Sequence, residues 1–305
     1  MPLHPVFANA LEAGRRAGRP ALSGSTVEAA RAFMADSAKA LGDGPPLELV
    51  RDLTVPTRAG SVGARLFRST APAPALIVYF HGGGWVAGSV AGFDALGRSL
   101  ATRTGCAVLS VDYRLAPETP FPGPLEDAED AIRWAAAHRA ELADDGAKII
   151  VGGDSAGGNL ATVAALALRG QVDIALQLLF YPVTDCDFNT ASYREFAEGQ
   201  NLTRADMQWF FRHYAPEAMW ADPRIAPMRA DLAGAPPAWL GLAEVDVLRS
   251  EGQAYAQRLA AAGVPVQVRT FAGLPHAYAR WFNLVDAVDV ALDDAAQAAR
   301  AALAG

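Results

Sequence analysis

A serine flanked by glycines lies in the sequence GDSAG at residues 153–157, where an apolar run gives way to a helical pattern. The run at residues 148–151 is typical of a short buried strand, and the apolar spacing after Ser155 stays helical until Gly170. The glycines allow a sharp turn from strand to helix, which would hold the serine hydroxyl out over the sheet. Such a turn can present a nucleophile for acyl transfer, but five residues alone fit a serine-capped glycine turn equally well.

The serine hydroxyl needs a base to take its proton, and the chain has five histidines. His276 is the predicted base, because it follows the last predicted strand, where a ring can reach over the edge of a sheet. The other four are assigned to the irregular start of the chain, a glycine loop, a helix end and an insertion: His4, His81, His138 and His213.

Asp246 is the predicted partner of that base. It follows the predicted strand at residues 239–243 and lies between Ser155 and His276 in chain order. Glu244 is the alternative, but it is expected inside the strand or at its end. An ionised Asp246 would hold the imidazole in one tautomer and stabilise the imidazolium that forms during reaction.

Three consecutive glycines follow another apolar strand, in the sequence HGGGW at residues 81–85. Glycines leave the backbone N–H groups accessible, and a tetrahedral acyl intermediate needs such donors around its oxyanion. We therefore predict an oxyanion hole made of the amides of Gly83, Gly84 and Ala156, the last being the residue after the serine. A flexible turn is the alternative interpretation of the glycines.

Composition restricts the class of protein. The chain has 305 residues, about half of them hydrophobic, and its 26 basic and 33 acidic residues give a net charge of −7. Without a basic tract, no nucleic-acid partner is expected. Cys106 and Cys186 offer neither a disulfide framework nor metal-ligand spacing, and we predict no metal and no cofactor. Because we find no apolar signal segment and no run long enough to cross a bilayer, we expect no membrane partner and a soluble, cytoplasmic protein.

Strands alternate with helices through most of the chain, which predicts a mostly parallel sheet flanked by helices. The predicted strands are residues 47–55, 61–67, 76–80, 106–111, 148–151, 174–180, 239–243 and 266–271. The predicted helices of this part are about 92–104, 124–140, the one that follows Ser155, 249–262 and 284–303.

Two regions lie outside this alternation. Residues 1–45 are alanine-rich and are predicted to form N-terminal cap helices, and residues 186–227 are an aromatic-rich insertion predicted to cap an acyl or aryl pocket. Within the insertion, a helix is expected to start near Thr203, at a pattern similar to a capping box. Residues 46–185 and 228–305 are then the predicted core.

In its motifs the chain resembles the bacterial hormone-sensitive-lipase-like esterases, an α/β-hydrolase family. The resemblance extends from about residue 76 to residue 276 and rests on HGGGW at 81–85, VDYRLAPE at 111–118, GDSAGGN at 153–159, YP at 181–182 and DVLR at 246–249. It implies a central eight-stranded sheet, a helical cap formed partly by the N-terminus, and hydrolysis of carboxylic esters without a metal.

Two motifs depart from the usual pattern of that family. Its DPLRDEG stands here as DVLRSEG at residues 246–252, and its HGF stands as HAY at residues 276–278. Neither change removes a catalytic group, so they concern the shape of the loops and the lining of the pocket.

The predicted function is that of a serine carboxylesterase which hydrolyses short- to medium-chain esters through an acyl-enzyme, with a small-molecule ester as its partner. An amidase or acyltransferase would share the acyl-enzyme step. A non-catalytic ligand-binding protein on the same fold is a further alternative, which the complete set of serine, histidine and aspartate disfavours. The exposed strand at residues 266–271 could pair edge to edge in a homodimer, and a monomer is equally compatible.

Overall fold

The structure, a computed structural model, describes residues 2–303. Its centre is one eight-stranded sheet. The strands are β1 (Leu49–Thr57), β2 (Gly60–Arg68), β3 (Ala75–Phe80), β4 (Ala107–Asp112), β5 (Lys148–Asp154), β6 (Ile174–Phe180), β7 (Ala238–Val245) and β8 (Val266–Pro275). They lie side by side in the order β1-β2-β4-β3-β5-β6-β7-β8.

The sheet is antiparallel at one end and parallel through the rest. β1 and β2 form a hairpin and β2 pairs antiparallel with β4, whereas all the other neighbouring strands are parallel. This confirms the predicted fold class, a mostly parallel eight-stranded α/β-hydrolase sheet. Because parallel strands end at one edge, the segments that follow β3, β5, β7 and β8 meet there.

Helices precede the sheet, follow it and connect most of its strands. Along residues 2–303 they are α1 (Pro5–Arg16), α2 (Val27–Leu41), α3 (Asp94–Thr104), α4 (Gly123–Ala137), α5 (Arg139–Leu142), α6 (Ala156–Ala167), α7 (Ala191–Glu195), α8 (Arg204–Tyr214), α9 (Arg249–Ala261) and α10 (Asp286–Ala301).

Helices cover both faces of the sheet, which explains why β3 is apolar at every position. Alternate residues of β3 enter two separate hydrophobic clusters. Leu76, Val78 and Phe80 belong to the cluster that includes residues of α4 and α6, and Ile77 and Tyr79 to the cluster that includes residues of α3 and α10. The side-chain alternation of a strand thus divides one apolar run between two layers.

Most predicted boundaries differ from the structure by one or two residues, and three of them differ by more. β5 continues to Asp154, so the serine follows the strand directly. β8 continues to Pro275 instead of ending at residue 271, because after an irregularity in register its last residues again pair with β7. The helix predicted for residues 124–140 ends at Ala137, where the chain turns at His138 into the short α5.

The segments before β1 and between β6 and β7 contain helices and no strands within residues 2–303. Asp206 completes the capping box at the start of α8, since its side chain and that of Thr203 each accept a bond from the other's backbone N–H. Asp206 also accepts a hydrogen bond from the backbone N–H of Ser23, 2.8 Å away. One carboxylate therefore joins the N-terminal segment to α8.

Among residues 2–303, none of the helices has both the length and the apolar character that spanning a lipid bilayer requires.

Candidate active site

Ser155 lies on the sharp turn between β5 and α6. Its backbone has φ 55° and ψ −121°, a combination that non-glycine residues rarely adopt. The flanking glycines are required by close packing, because a Cβ at Gly157 would overlap the backbone oxygen of Phe80 and one at Gly153 would overlap the backbone of Gly157. The turn therefore has the sharp strand-to-helix geometry that the sequence predicts, and the side chain of Ser155 makes no capping hydrogen bond to α6.

The histidine that reaches this serine is His276. Its Nε2 lies 2.9 Å from the Oγ of Ser155, and its Nδ1 lies 2.8 Å from Oδ2 of Asp246. All three side chains are buried. With the proton assigned to Nδ1, the ring donates to the carboxylate and accepts from the serine hydroxyl.

Asp246 immediately follows β7, and its second oxygen accepts the backbone N–H of Leu248 at 3.0 Å. Glu244, the alternative from the sequence, is the penultimate residue of β7 and accepts the backbone N–H of Gly273 at 2.8 Å. The carboxylate in contact with the imidazole is therefore that of Asp246, while Glu244 holds β8 against β7.

The loop that carries the imidazole is held by two further contacts. Ala277 adopts the left-handed conformation, with φ 62° and ψ 23°, which explains why the family pattern has glycine at this position. The side-chain amide of Asn201 donates to the backbone oxygen of His276 at 2.6 Å, and the ring of Tyr181 lies 4.8 Å from the imidazole between centroids.

The glycine loop after β3 has a strained backbone. Gly83, Gly84 and Trp85 have φ values of 123°, 61° and 61°. A Cβ at Gly83 would overlap the backbone oxygen of Ala87, and one at Gly84 would overlap the ring of Phe210. Within residues 2–303, the amides of Gly83 and Gly84 have no hydrogen-bond acceptor, and the amide of Ala156 belongs to the unpaired first turn of α6. The three predicted donors are thus available to a ligand.

Comparison with known proteins places this geometry in a family. Residues 77–280 match a family profile described as the α/β hydrolase fold. The ethyl acetate hydrolase of Pseudomonas putida is 36% identical to the chain over 96% of both proteins. The chain belongs to the hormone-sensitive-lipase-like carboxylesterases.

Other relatives of this esterase agree. The carboxylic ester hydrolase LipN of Mycobacterium tuberculosis is 40% identical over 85% of this chain and 72% of its own. The solved structure of a hyperthermophilic esterase from Pyrobaculum calidifontis has 35% identity and a TM-score of 0.93, with 99% of each chain covered. These similarities confirm the predicted class of enzyme, a carboxylic ester hydrolase.

Asp154, which the sequence analysis left without a role, holds the glycine loop of this esterase. Its Oδ1 accepts the backbone N–H of Gly82 at 2.9 Å and the hydroxyl of Tyr79 at 3.0 Å. Burial raises the pKa of its carboxyl to about 6, although both hydrogen bonds favour the ionised form. The sequence did contain a signal for this contact: an acidic residue directly precedes the serine, and three glycines follow the strand that is predicted to lie beside it.

His81, the first residue of the glycine loop, is fully buried. Its Nδ1 lies 2.8 Å from the backbone oxygen of Gly82, and its ring stacks on Tyr113 and Phe93. Burial lowers the pKa of the imidazole, which favours the neutral ring as the donor to that oxygen. This contact orders the start of the glycine loop.

The described residues contain no group of three or more histidine, cysteine or acidic side chains that could hold a metal ion. Both cysteines, Cys106 and Cys186, are free thiols. Of the remaining histidines, His138 and His213 each contact the backbone oxygen of a residue one helical turn earlier, and His4 caps α1.

Proposed function

We propose that the esterase hydrolyses carboxylic esters through an acyl-enzyme with Ser155 as nucleophile, His276 as general base and acid, and Asp246 as the group that orients the imidazole. The observation that carries this proposal is the unbroken pair of contacts from hydroxyl to imidazole to carboxylate, at 2.9 Å and 2.8 Å. No side chain in this relay has to move before the first proton transfer.

In the acylation step, Oγ of Ser155 attacks the ester carbonyl carbon while Nε2 of His276 takes the hydroxyl proton. The imidazolium then gives this proton to the alkoxide oxygen, the carbon–oxygen bond of the ester breaks, and the alcohol leaves. In the deacylation step a water molecule loses its proton to His276 and attacks the acyl carbon. Oγ leaves with that proton, and the carboxylic acid is released.

The amides of Gly83, Gly84 and Ala156 are proposed to bind the oxyanion of both tetrahedral intermediates. Removing one such donor from an acyl-transfer enzyme typically costs about 3 kcal/mol of transition-state stabilisation. Two of the three donors belong to a loop whose shape is fixed by positive φ angles and by the contact of Gly82 with Asp154. The pre-arranged shape means that little reorganisation is needed when charge develops.

We further propose that residues 1–45 and 186–227 form the cap of this esterase, over a core of residues 46–185 and 228–305. The cap favours short- to medium-chain acyl groups because the ring of Phe210 lies directly against Gly84, beside two of the proposed oxyanion donors. Phe210→Ala should raise kcat/KM for longer acyl chains relative to acetate in a chain-length series of chromogenic esters. An unchanged ratio of these kcat/KM values would show that Phe210 does not limit the length of the acyl chain.

The nucleophile is tested by Ser155→Ala, with Ser110→Ala as the matched control. Ser110 is also a buried serine, but its hydroxyl, on β4, has no hydrogen-bond partner within residues 2–303. Ser155→Ala should leave only the residual catalysis that oxyanion binding supports, about 10³–10⁴ times the uncatalysed rate. Treatment with a phosphonate ester inhibitor should give a covalent adduct, measured by mass spectrometry, on the wild type and on Ser110→Ala but not on Ser155→Ala. Wild-type turnover by this variant would exclude Ser155 as the nucleophile.

A homodimer is proposed through the free edge of β8. Residues 267–270 of this strand are exposed, and Val268 is among the exposed large hydrophobic residues. Pairing of two β8 edges would remove the unpaired backbone groups of both copies. Light scattering should give twice the chain mass for the wild type and the chain mass for Val268→Lys; a wild-type monomer at micromolar concentration would contradict this.

A further inference from the structure

Arg31, a residue of α2, reaches from the N-terminal segment to the glycine loop. Its Nε donates to the backbone oxygen of Val86 at 2.8 Å, and its Nη2 donates to the backbone oxygen of Ala116 at 3.0 Å. Two further donors form a bidentate pair with the carboxylate of Glu118, at 2.8 Å and 2.6 Å. One planar guanidinium therefore joins three separate acceptors, which a single ammonium cannot do with the same geometry.

The two carbonyls that Arg31 binds belong to segments that already contact each other. Val86 lies in the turn closed by its own N–H and that of Ala87, which both donate to the oxygen of Gly83. The backbone N–H of Ala116 donates to the oxygen of Trp85 at 2.9 Å. Arg31 thus fastens the turn that contains Gly83 and Gly84 to the neighbouring loop, from the side of α2.

This turn needs external contacts to keep its shape. Three successive residues, from Gly83 to Trp85, have positive φ, and Trp85 has a Cβ that disfavours this conformation. Strained backbone persists only where the surroundings determine it. A small displacement of the turn would move the amides that are proposed to bind the oxyanion, and misplacement by about 1 Å can cost a factor of about 100 in rate.

We propose that Arg31 is a positioning residue for the oxyanion hole, so that the hole takes its active geometry only when α2 is docked. This inference rests on the proposed function of Gly83 and Gly84. Arg31 touches neither the serine nor the imidazole in the structure, and it acts through the backbone of Val86 and Ala116.

A purely structural ion pair would behave differently. Removal of a partly exposed pair lowers the free energy of unfolding only slightly and leaves the folded enzyme fully active. Removal of a positioning contact lowers kcat and kcat/KM together while the protein remains folded, because the lost interaction acts on the transition state. The two roles therefore separate in kinetic constants measured on folded protein.

The experiment compares Arg31→Ala, Arg31→Lys and the control Lys39→Met on a chromogenic acetate ester. Lys39 lies on the same helix and contacts Asp36 at 3.0 Å, with its side chain 80% exposed. We expect Arg31→Ala to lower kcat about tenfold or more with KM within about threefold, and Arg31→Lys to be intermediate. Lys39→Met should match the wild type.

Chemical rescue makes the test specific. The side chain of Arg31 is 31% exposed, so a guanidinium ion at a concentration far below that which unfolds the protein can enter the space left in Arg31→Ala. We expect part of the lost kcat to return with guanidinium but not with the same concentration of sodium chloride. Should Arg31→Ala fail to fold, Arg31→Lys and its kinetic constants carry the same test.

Two results would overturn the inference. One is a kcat within twofold of the wild type for both folded Arg31 variants; the other is a loss of activity that matches the unfolded fraction in circular dichroism and does not respond to guanidinium. Failure of the proposed function is distinguishable from failure of this inference, because in the former case the wild type itself would lack ester hydrolysis that depends on Ser155.

Discussion

The glycine loop of this esterase is held from two sides by attachments of opposite kind. The inner attachment is Asp154 with its two donors, Tyr79 and the N–H of Gly82, and it is completely buried. The outer attachment is Arg31 with its carbonyls and Glu118, whose side chain is 62% exposed. Each fixes a different end of the same loop.

Burial determines both how strongly each attachment is bonded and which solution condition weakens it. A buried carboxylate forms strong hydrogen bonds but is costly to ionise, which is why the pKa of Asp154 rises to about 6. In the exposed pair, the guanidinium of Arg31 lowers the pKa of Glu118 to about 2, so the pair stays ionised at any working pH but is screened by salt. The inner attachment is therefore sensitive to pH, and the outer attachment is sensitive to salt concentration.

The largest effect is expected from removal of the inner attachment. Asp154→Ala leaves the buried N–H of Gly82 and the hydroxyl of Tyr79 without their acceptor, which costs about 1–3 kcal/mol for each group. With the loop displaced, kcat should fall about 100-fold, further than in Arg31→Ala. Steady-state kinetics on both variants test this order. A smaller loss of kcat in Asp154→Ala than in Arg31→Ala would show that the inner attachment is not the more important of the two.

The second prediction concerns the pH dependence of stability. The raised pKa of Asp154 means that the folded chain holds this proton more tightly than the unfolded chain, in which the ordinary value is 3.8. The stabilisation is fully present below pH 3.8 and is lost as the pH rises to about 6. Over that interval, the free energy of unfolding of the wild type should fall by about 3 kcal/mol relative to Asp154→Asn.

Denaturant titrations of both proteins between pH 4 and pH 8 would measure that difference. A constant difference across the range would mean that the carboxyl of Asp154 titrates as in the unfolded chain. It would also remove the contrast in proton sensitivity between the two attachments.

The smallest effect is expected from Glu118→Gln, which removes the charge of the exposed pair but keeps both carbonyls for Arg31. Its kcat should lie within about twofold of the wild type, because the two carbonyl bonds of Arg31 remain. The exposed ion pair itself contributes only about 1 kcal/mol or less to the free energy of unfolding. Addition of about 1 M sodium chloride, where the screening length is about 3 Å, should abolish even that difference. A tenfold loss would place the function of the outer attachment in the charge instead of the carbonyl bonds.

The sequence predicted the parts of the site that lie at ends of strands. Ser155 and Asp246 follow β5 and β7 directly, and glycine patterns mark the elbow and the loop after β3. Position relative to a strand end also favoured Asp246 over Glu244, and the structure brings Asp246 to the imidazole. These signals are local, since each depends on a few neighbouring residues.

The two attachments were not predicted, because they join residues far apart in the chain. Asp154 and Gly82 are separated by 72 positions, and Arg31 and Glu118 by 87. No periodicity relates such residues, and their contact arises only when sheet order and helix docking are known. The extension of β8 to Pro275 was missed for a related reason, since pairing with β7, and not the strand propensity of those residues, determines it.

The N-terminal segment also contacts β8 close to His276. The backbone N–H of His4 donates to the oxygen of Gly273 at 2.9 Å, three residues before His276. An affinity tag fused ahead of His4 would consequently lie next to the strand that leads into His276. Rate constants obtained with such a tag in place should be measured again after its proteolytic removal.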